Sequence, residues 1–146
     1  MNTADKVKAA VYHYFSETGN RPSVAEISSE LDIPNREVEA AYRQLARERL
    51  LVLEADGISI RMAPPFSGIP TQHEVWSRGR RYFANCAWDA LGITAALGEF
   101  STVHSRCEQS GEPLDLEVGL EGPDSCSWLF HSLVPASRWW DDINCT

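Results

Sequence analysis

Cys86 and Asp89 stand three residues apart in Asn85-Cys86-Ala87-Trp88-Asp89-Ala90-Leu91-Gly92. On a helix that spacing puts both side chains on one face. With Asn85 as the expected cap, Cys86 takes the first helical position, where unpaired amides and the helix dipole favour a thiolate. Ile93 and Leu97 fall on the Asp89 side, where they would shield the carboxyl and favour its neutral form. Trp88, Leu91 and Ala95 fall opposite and are expected to anchor the helix. A thiolate beside a neutral acid can attack with one group and donate a proton with the other. The same spacing also fits a small buried cysteine beside an ordinary first-turn aspartate.

Other chemistries leave no trace in the chain. The four cysteines (Cys86, Cys107, Cys126, Cys145) are separated by 21, 19 and 19 positions and form no C-x-x-C zinc pattern. His13, His73, His104 and His131 are scattered and read as ordinary surface or core residues. There is no phosphate loop, no G-x-S-x-G and no dinucleotide glycine pattern. Cys107 precedes a turn and reads as structural. Cys126 lies at an expected strand start with no evident partner.

The elements that must position Cys86 and Asp89 fall in two parts. Val7, Ala10, Val11, Tyr14 and Phe15 recur at helical spacing and predict a first helix that stops before Gly19. Ser23-Val24-Ala25-Glu26 is a capping box that opens a second helix ending near Leu31. Pro34-Asn35 opens a third, with Val38, Ala41, Tyr42 and Leu45 as its buried stripe. Leu51–Glu54, a turn at Ala55-Asp56-Gly57, and Ile58–Ile60 predict a hairpin. Three helices and a hairpin make a winged-helix-like module over residues 1–62. Residues 63–72, with three prolines in Ala63–Pro70, read as a connector that is neither helix nor central strand.

Residues 73–146 are expected to hold a helix and an antiparallel sheet, making the whole chain α+β. Gln72–Trp76 reads as extended and Arg78-Gly79-Arg80 as a turn. Tyr82 to Gly98 reads as the helical segment, stopping at Gly98. Thr102–Cys107, Leu114–Val118 and Trp128–Val134 read as strands. Trp139–Ile143, after Pro135, reads as a helical turn.

Length, 146 residues, allows one ordinary domain or two very small ones sharing a core. Hydrophobic residues at 43% and charged residues at 23% exclude a disordered chain. Net charge is −8, with −2 on residues 1–62 (eight basic, ten acidic) and −6 on residues 63–146 (five basic, eleven acidic). That balance disfavours nucleic acid and anionic membranes as partners. The third helix sets Arg36, Arg43 and Arg47 against Glu37, Glu39 and Glu48, a mixture suited to local ion pairs rather than to phosphates. No apolar run reaches the roughly 20 residues a membrane-spanning helix needs. The segment Met1–Phe15 is charged and amphipathic, unlike a signal peptide. Free thiols without a secretory signal predict a reducing, cytoplasmic setting.

Four segments together resemble the alkylmercury (organomercurial) lyases: Pro64-Pro65-Phe66-Ser67-Gly68-Ile69-Pro70-Thr71, Ala84 to Gly92, Ser110-Gly111-Glu112-Pro113-Leu114, and Val134-Pro135 followed by Trp139-Trp140-Asp141-Asp142-Ile143. The resemblance runs from about residue 60 to the end and is most specific around Cys86. It implies an enzyme that cleaves carbon–mercury bonds, with two thiolates and one aspartate on the mercury and a proton delivered to the departing carbon. By position, Cys86 matches the family's first active-site cysteine and Asp89 its aspartate. Cys145, ten residues after Pro135, is the best match to the second cysteine, and Cys107 matches a structural one. Mercury is a soft cation, so thiolates suit it. The family continues beyond its second cysteine through a strand and a closing helix. This chain ends at Thr146, so a short or truncated member is expected, with Cys145 on a tail.

The resemblance thus implies an organomercurial lyase yielding a hydrocarbon and Hg(II). It needs no organic cofactor, only a small thiol to remove the product, with mercuric reductase as a further Hg(II) acceptor. Two other readings fit the residues: a winged-helix regulator with a cysteine-based soft-metal sensor, and an inactive lyase-like protein that only binds mercury.

Overall fold

The computed structural model describes residues 1–132 and 134–144. Cys145 lies outside them.

The chain opens with three helices. α1 (Thr3–Thr18) starts at Asn2, whose side chain accepts from the Asp5 amide, and ends on Gly19 in the left-handed conformation. α2 (Val24–Leu31) begins at the expected capping box, with Ser23 and Glu26 each bonding the other's backbone amide. α3 (Asn35–Arg47) buries Val38, Ala41, Tyr42 and Leu45, the stripe expected from its spacing.

A small antiparallel sheet follows, in the order β1-β2-β3: β1 (Val52–Leu53), β2 (Ile60–Ala63) and β3 (Phe66–Ser67). The proline-rich segment does more than connect. Its Pro64-Pro65 pair forms the corner between β2 and β3, so Phe66 and Ser67 become an edge strand. The edge position agrees with the prolines, which cannot donate to a central ladder.

The second sheet runs β5-β4-β6-β7-β8, all antiparallel: β4 (Glu74–Ser77), β5 (Arg80–Phe83), β6 (Ser101–Arg106), β7 (Pro113–Gly119) and β8 (Gly122–Pro123). α4 (Ala87–Leu97) lies between β5 and β6 in the chain and ends, as expected, on Gly98 in the left-handed conformation. It packs on β4, β6 and β7. A 3-10 helix, Ala136–Asp141, follows Pro135 directly, so the helical turn expected at Trp139–Ile143 begins three residues earlier and ends at Asp141.

Three expectations need correction. Tyr82 and Phe83 belong to β5, not to the helix, because they pair with Val75 and Glu74 across a tight turn. Trp128–Val134 forms no strand among its described residues, and Cys126 is exposed in irregular chain rather than at a strand start. Trp88 and Ala95 do not anchor α4, since both are exposed; Ala90, Ile93 and Thr94 do so instead. α4 is apolar nearly all round, so the apolar residues do not single out one face and the sheet beneath selects it.

One apolar cluster spans both halves. It joins Val7, Val11 and Phe15 of α1 to Phe66, Val75, Tyr82, Ile93 and Val103. Phe66 is its link: its ring stacks on Phe15 at 5.3 Å and meets Tyr82 at 5.9 Å and Tyr12 at 6.3 Å. Polar contacts repeat the join. The Tyr82 hydroxyl donates to the Ser16 carbonyl at 2.6 Å, and Gly19 touches the Arg81 carbonyl so closely that a Cβ there would stand 2.1 Å from the oxygen.

Candidate active site

Cys86 and Asp89 meet at the start of α4, where the chain leaves β5. Ala84 bridges to Phe66 of β3 and donates its amide to the His73 carbonyl, which fixes the backbone just before Cys86. The helix then begins one residue later than expected. Cys86, with φ −148° and ψ 175°, is itself the cap residue, and its carbonyl accepts from the Ala90 amide. Asn85 is freed from capping and turns its side chain to the β2–β3 corner. Its Nδ2 donates to the Pro65 carbonyl at 3.4 Å, the Phe66 carbonyl at 3.3 Å and Asp89 Oδ2 at 3.2 Å.

The electrostatics divide unequally. Burial pushes the Cys86 thiol up, and this outweighs the downward pull of the Asp89 and Trp88 amides. Burial thus works against the expected helix-end thiolate, because desolvation opposes the charge more than the two amides favour it. Asp89 behaves as the sequence suggests. Burial raises it, against smaller downward pulls from the Asn85 amide and the Cys86 thiol. The thiol's hydrogen bond to the carboxyl in turn raises the thiol. Burial thus makes both groups hold a proton more tightly than in water, and a soft cation that binds sulfur would displace the thiol proton.

Tyr12 of α1 closes the site from the helical side. Its hydroxyl donates to the Pro64 carbonyl at 2.8 Å, and burial together with the Asp89 charge pushes it up to about 12. Tyr12 and Asn85 were not singled out as site residues. Three consecutive carbonyls, of Pro64, Pro65 and Phe66, are thus taken by Tyr12 and Asn85. Gly92 lets α4 approach this corner, since a Cβ there would stand 3.1 Å from Pro65 Cβ.

The remaining candidates fall elsewhere. Cys107 begins the turn between β6 and β7, where its amide donates to the Glu112 carbonyl. Ser110 and the amides of Ser110 and Gln109 hold its thiol below the ordinary range. His73 is a buried histidine whose Nδ1 meets Ser105 Oγ at 2.6 Å, and burial lowers its pKa. His104 is exposed and pairs with Asp115. Among the described residues no group of three His, Cys, Asp or Glu side chains could hold a metal ion. The structure brings Cys86 and Asp89 together; Cys145 lies beyond the described residues.

The alkylmercury lyase family model matches residues 66–146, more than half the chain, including both Cys86 and Asp89. The chain belongs to the alkylmercury lyase family. Alkylmercury lyases of Bacillus cereus and Clostridium butyricum are each 38% identical to it over 50 residues, which is 34% of this chain and 23% of theirs. A solved structure described as the mercury-bound form of MerB2 superposes with a TM-score of 0.68 at 25% identity, covering 87% of this chain and 61% of the other. The chain spans about a quarter of the length of these curated relatives in the matched region. The structural likeness extends well beyond the family match and takes in part of the helical segment. No helix among the described residues is long and apolar enough to cross a membrane.

Proposed function

We propose that this protein is an organomercurial lyase that converts an R–Hg compound to R–H and Hg(II). The observation that carries the reading is the contact of Cys86 with a desolvated Asp89, whose affinity for a proton burial raises, at the head of α4. Cys86 sulfur forms the bond to mercury as its thiol proton passes to the Asp89 carboxylate beside it. The carbon–mercury bond breaks with its electron pair on carbon, and Asp89 delivers a proton to that carbon. Mercury stays at +2 throughout, so no redox partner is needed. Cys145 is proposed as the second thiolate, a small thiol as the group that removes the product, and mercuric reductase as a further acceptor. The setting proposed is the cytoplasm.

Residues 1–62 are proposed as a winged-helix-like module that buttresses the site, followed by the connector 63–72 and the lyase-like part 73–146. A DNA-reading role is disfavoured because Arg43 of α3 pairs with Glu39 at 3.7 Å and Gln44 bonds Glu48 at 2.9 Å. Tyr12, which closes the site from α1, supports the buttress.

The test is incubation with phenylmercury and excess thiol, with benzene as the readout. The parent releases benzene and Cys86→Ser does not, because a hydroxyl is a poor ligand for a soft metal. Benzene released by Cys86→Ser at the parent rate removes Cys86 from the mechanism. Tight mercury binding without benzene from the parent supports the inactive mercury-binding reading instead.

A further inference from the structure

We infer that the slot walled by Trp88, Phe130 and Trp139 receives the organic group of the mercurial and selects aryl over small alkyl groups, an inference that rests on the proposed lyase reading. Trp88 stands on α4 between Cys86 and Asp89 and is 54% exposed. The irregular chain before Pro135 brings Phe130 against it, with ring centroids 5.8 Å apart and planes at 50°. Trp139 of the 3-10 helix meets Phe130 edge-on at 6.5 Å and 74°. Three aromatic groups thus stand in a row along an open-sided slot of about 540 Å³, which Ser132, Val134 and Pro135 also line. Half-exposed rings grouped in this way form an apolar patch of the kind that marks a binding site.

The chemistry of the lining and its position both point to a hydrocarbon ring. The described lining carries no charged side chain. Ser132 Oγ donates to the Val134 carbonyl at 2.6 Å and accepts from Trp139 Nε1 at 3.0 Å, and the same indole N–H reaches the Val134 carbonyl at 3.2 Å. Those polar groups are used within their own segment, so the slot offers ring surface to an incoming group. The Trp88 backbone amide donates to the Cys86 thiol, and two covalent bonds separate that nitrogen from the Trp88 Cβ. Mercury on the Cys86 sulfur therefore stands beside the root of the Trp88 side chain, and the ring carries the slot outward from there. A methyl group is too small to span rings set 5.8 and 6.5 Å apart, whereas an aryl group can stack on one and meet the next edge-on. The volume agrees, since pockets of about 300–1,000 Å³ suit ligands far larger than a methyl group.

The test compares phenylmercury with methylmercury on the full chain, for the parent, Phe130→Ala and Trp88→Ala. Both side chains are about half-exposed, so truncation leaves the buried core in place. Two phenyl-to-methyl ratios are read: affinity, by competition against a small thiol, and kcat/KM, from benzene and methane release. A ratio compared with the parent cancels the different strengths of the two carbon–mercury bonds and any loss of folded protein. Each truncation is expected to lower the affinity ratio about threefold to tenfold, as loss of one ring contact implies, and the kcat/KM ratio with it. Trp76→Ala removes an exposed ring on β4 outside the slot and is expected to leave both ratios unchanged. Ratios that stay at the parent value in both slot variants, or that shift as much in Trp76→Ala, overturn the inference. Self-association of the parent that Phe130→Ala abolishes, with the ratios unmoved, overturns it too and assigns the slot to a second copy of the chain. A phenyl preference in affinity that the slot variants lose, in a protein that releases neither benzene nor methane, upholds the slot and refutes the lyase reading, so the two fail separately.

Discussion

Replacing Phe66 by Ala removes the ring that joins the two halves of the core. Phe66 is 2% exposed and meets Phe15, Tyr82 and Tyr12, so nearly all its apolar surface is lost to a cavity. Truncating a buried phenylalanine costs about 3–5 kcal/mol. Ring pairs contribute about 0.5–1.5 kcal/mol each beyond area, so three partners place this site toward the upper end. That is a third or more of the roughly 5–15 kcal/mol a domain holds. At about 3–4 °C per kcal/mol for a chain of this size, Tm falls by about 10–20 °C. Phe66→Leu keeps most of the volume and is expected to cost about 1–2 kcal/mol. The assay is thermal unfolding followed by two probes. Far-UV circular dichroism reports chiefly on α1 to α3, and all five tryptophans lie between residues 76 and 140. Because one apolar cluster spans both halves, the two signals are expected to fall together. A loss under about 1 kcal/mol, or two separated transitions of which only one moves, refutes the link.

Two further outcomes follow from the same geometry. Gly98→Ala meets open space and bears only the left-handed backbone cost, about 1 kcal/mol, whereas Gly19→Ala adds overlap with the Arg81 carbonyl and is expected to cost at least about twice as much; equal urea midpoints for the two variants would contradict the close approach of α1 to β5. Asp89 has a folded pKa raised by burial, so its contribution to stability is fully present below the ordinary carboxylate pKa of about 3.9 and is lost as pH rises through the raised value. Asp89→Asn removes that dependence, so the stability of the variant minus that of the parent is expected to grow from pH 4 to pH 7 in urea titrations, and a difference that stays constant over that range would show that Asp89 is not desolvated.

The local elements were legible because their signals lie within a few residues. The Ser23–Glu26 capping box, the glycine stops at Gly19 and Gly98 and the Val38-Ala41-Tyr42-Leu45 stripe each act over one or two helical turns, and all appear where the spacing puts them. The three-residue spacing of Cys86 and Asp89 was likewise enough to bring the two together, although as cap residue and first turn of α4 rather than on one helix face. Decisions that depend on distant partners were not legible. Tyr82 and Phe83 have helix-compatible neighbours, yet pairing with β4 makes them a strand. Asn85 is a good cap by type, yet the Pro65 and Phe66 carbonyls, some twenty positions earlier, claim its amide and leave the cap to Cys86. The same holds for charge. A sequence shows that a helix end favours a thiolate, but only the packed structure shows that burial outweighs it at Cys86 and raises the proton affinity of Asp89. Desolvation is set by everything within several ångströms, and α1, β3 and the sheet under α4 reach that site only through the tertiary fold.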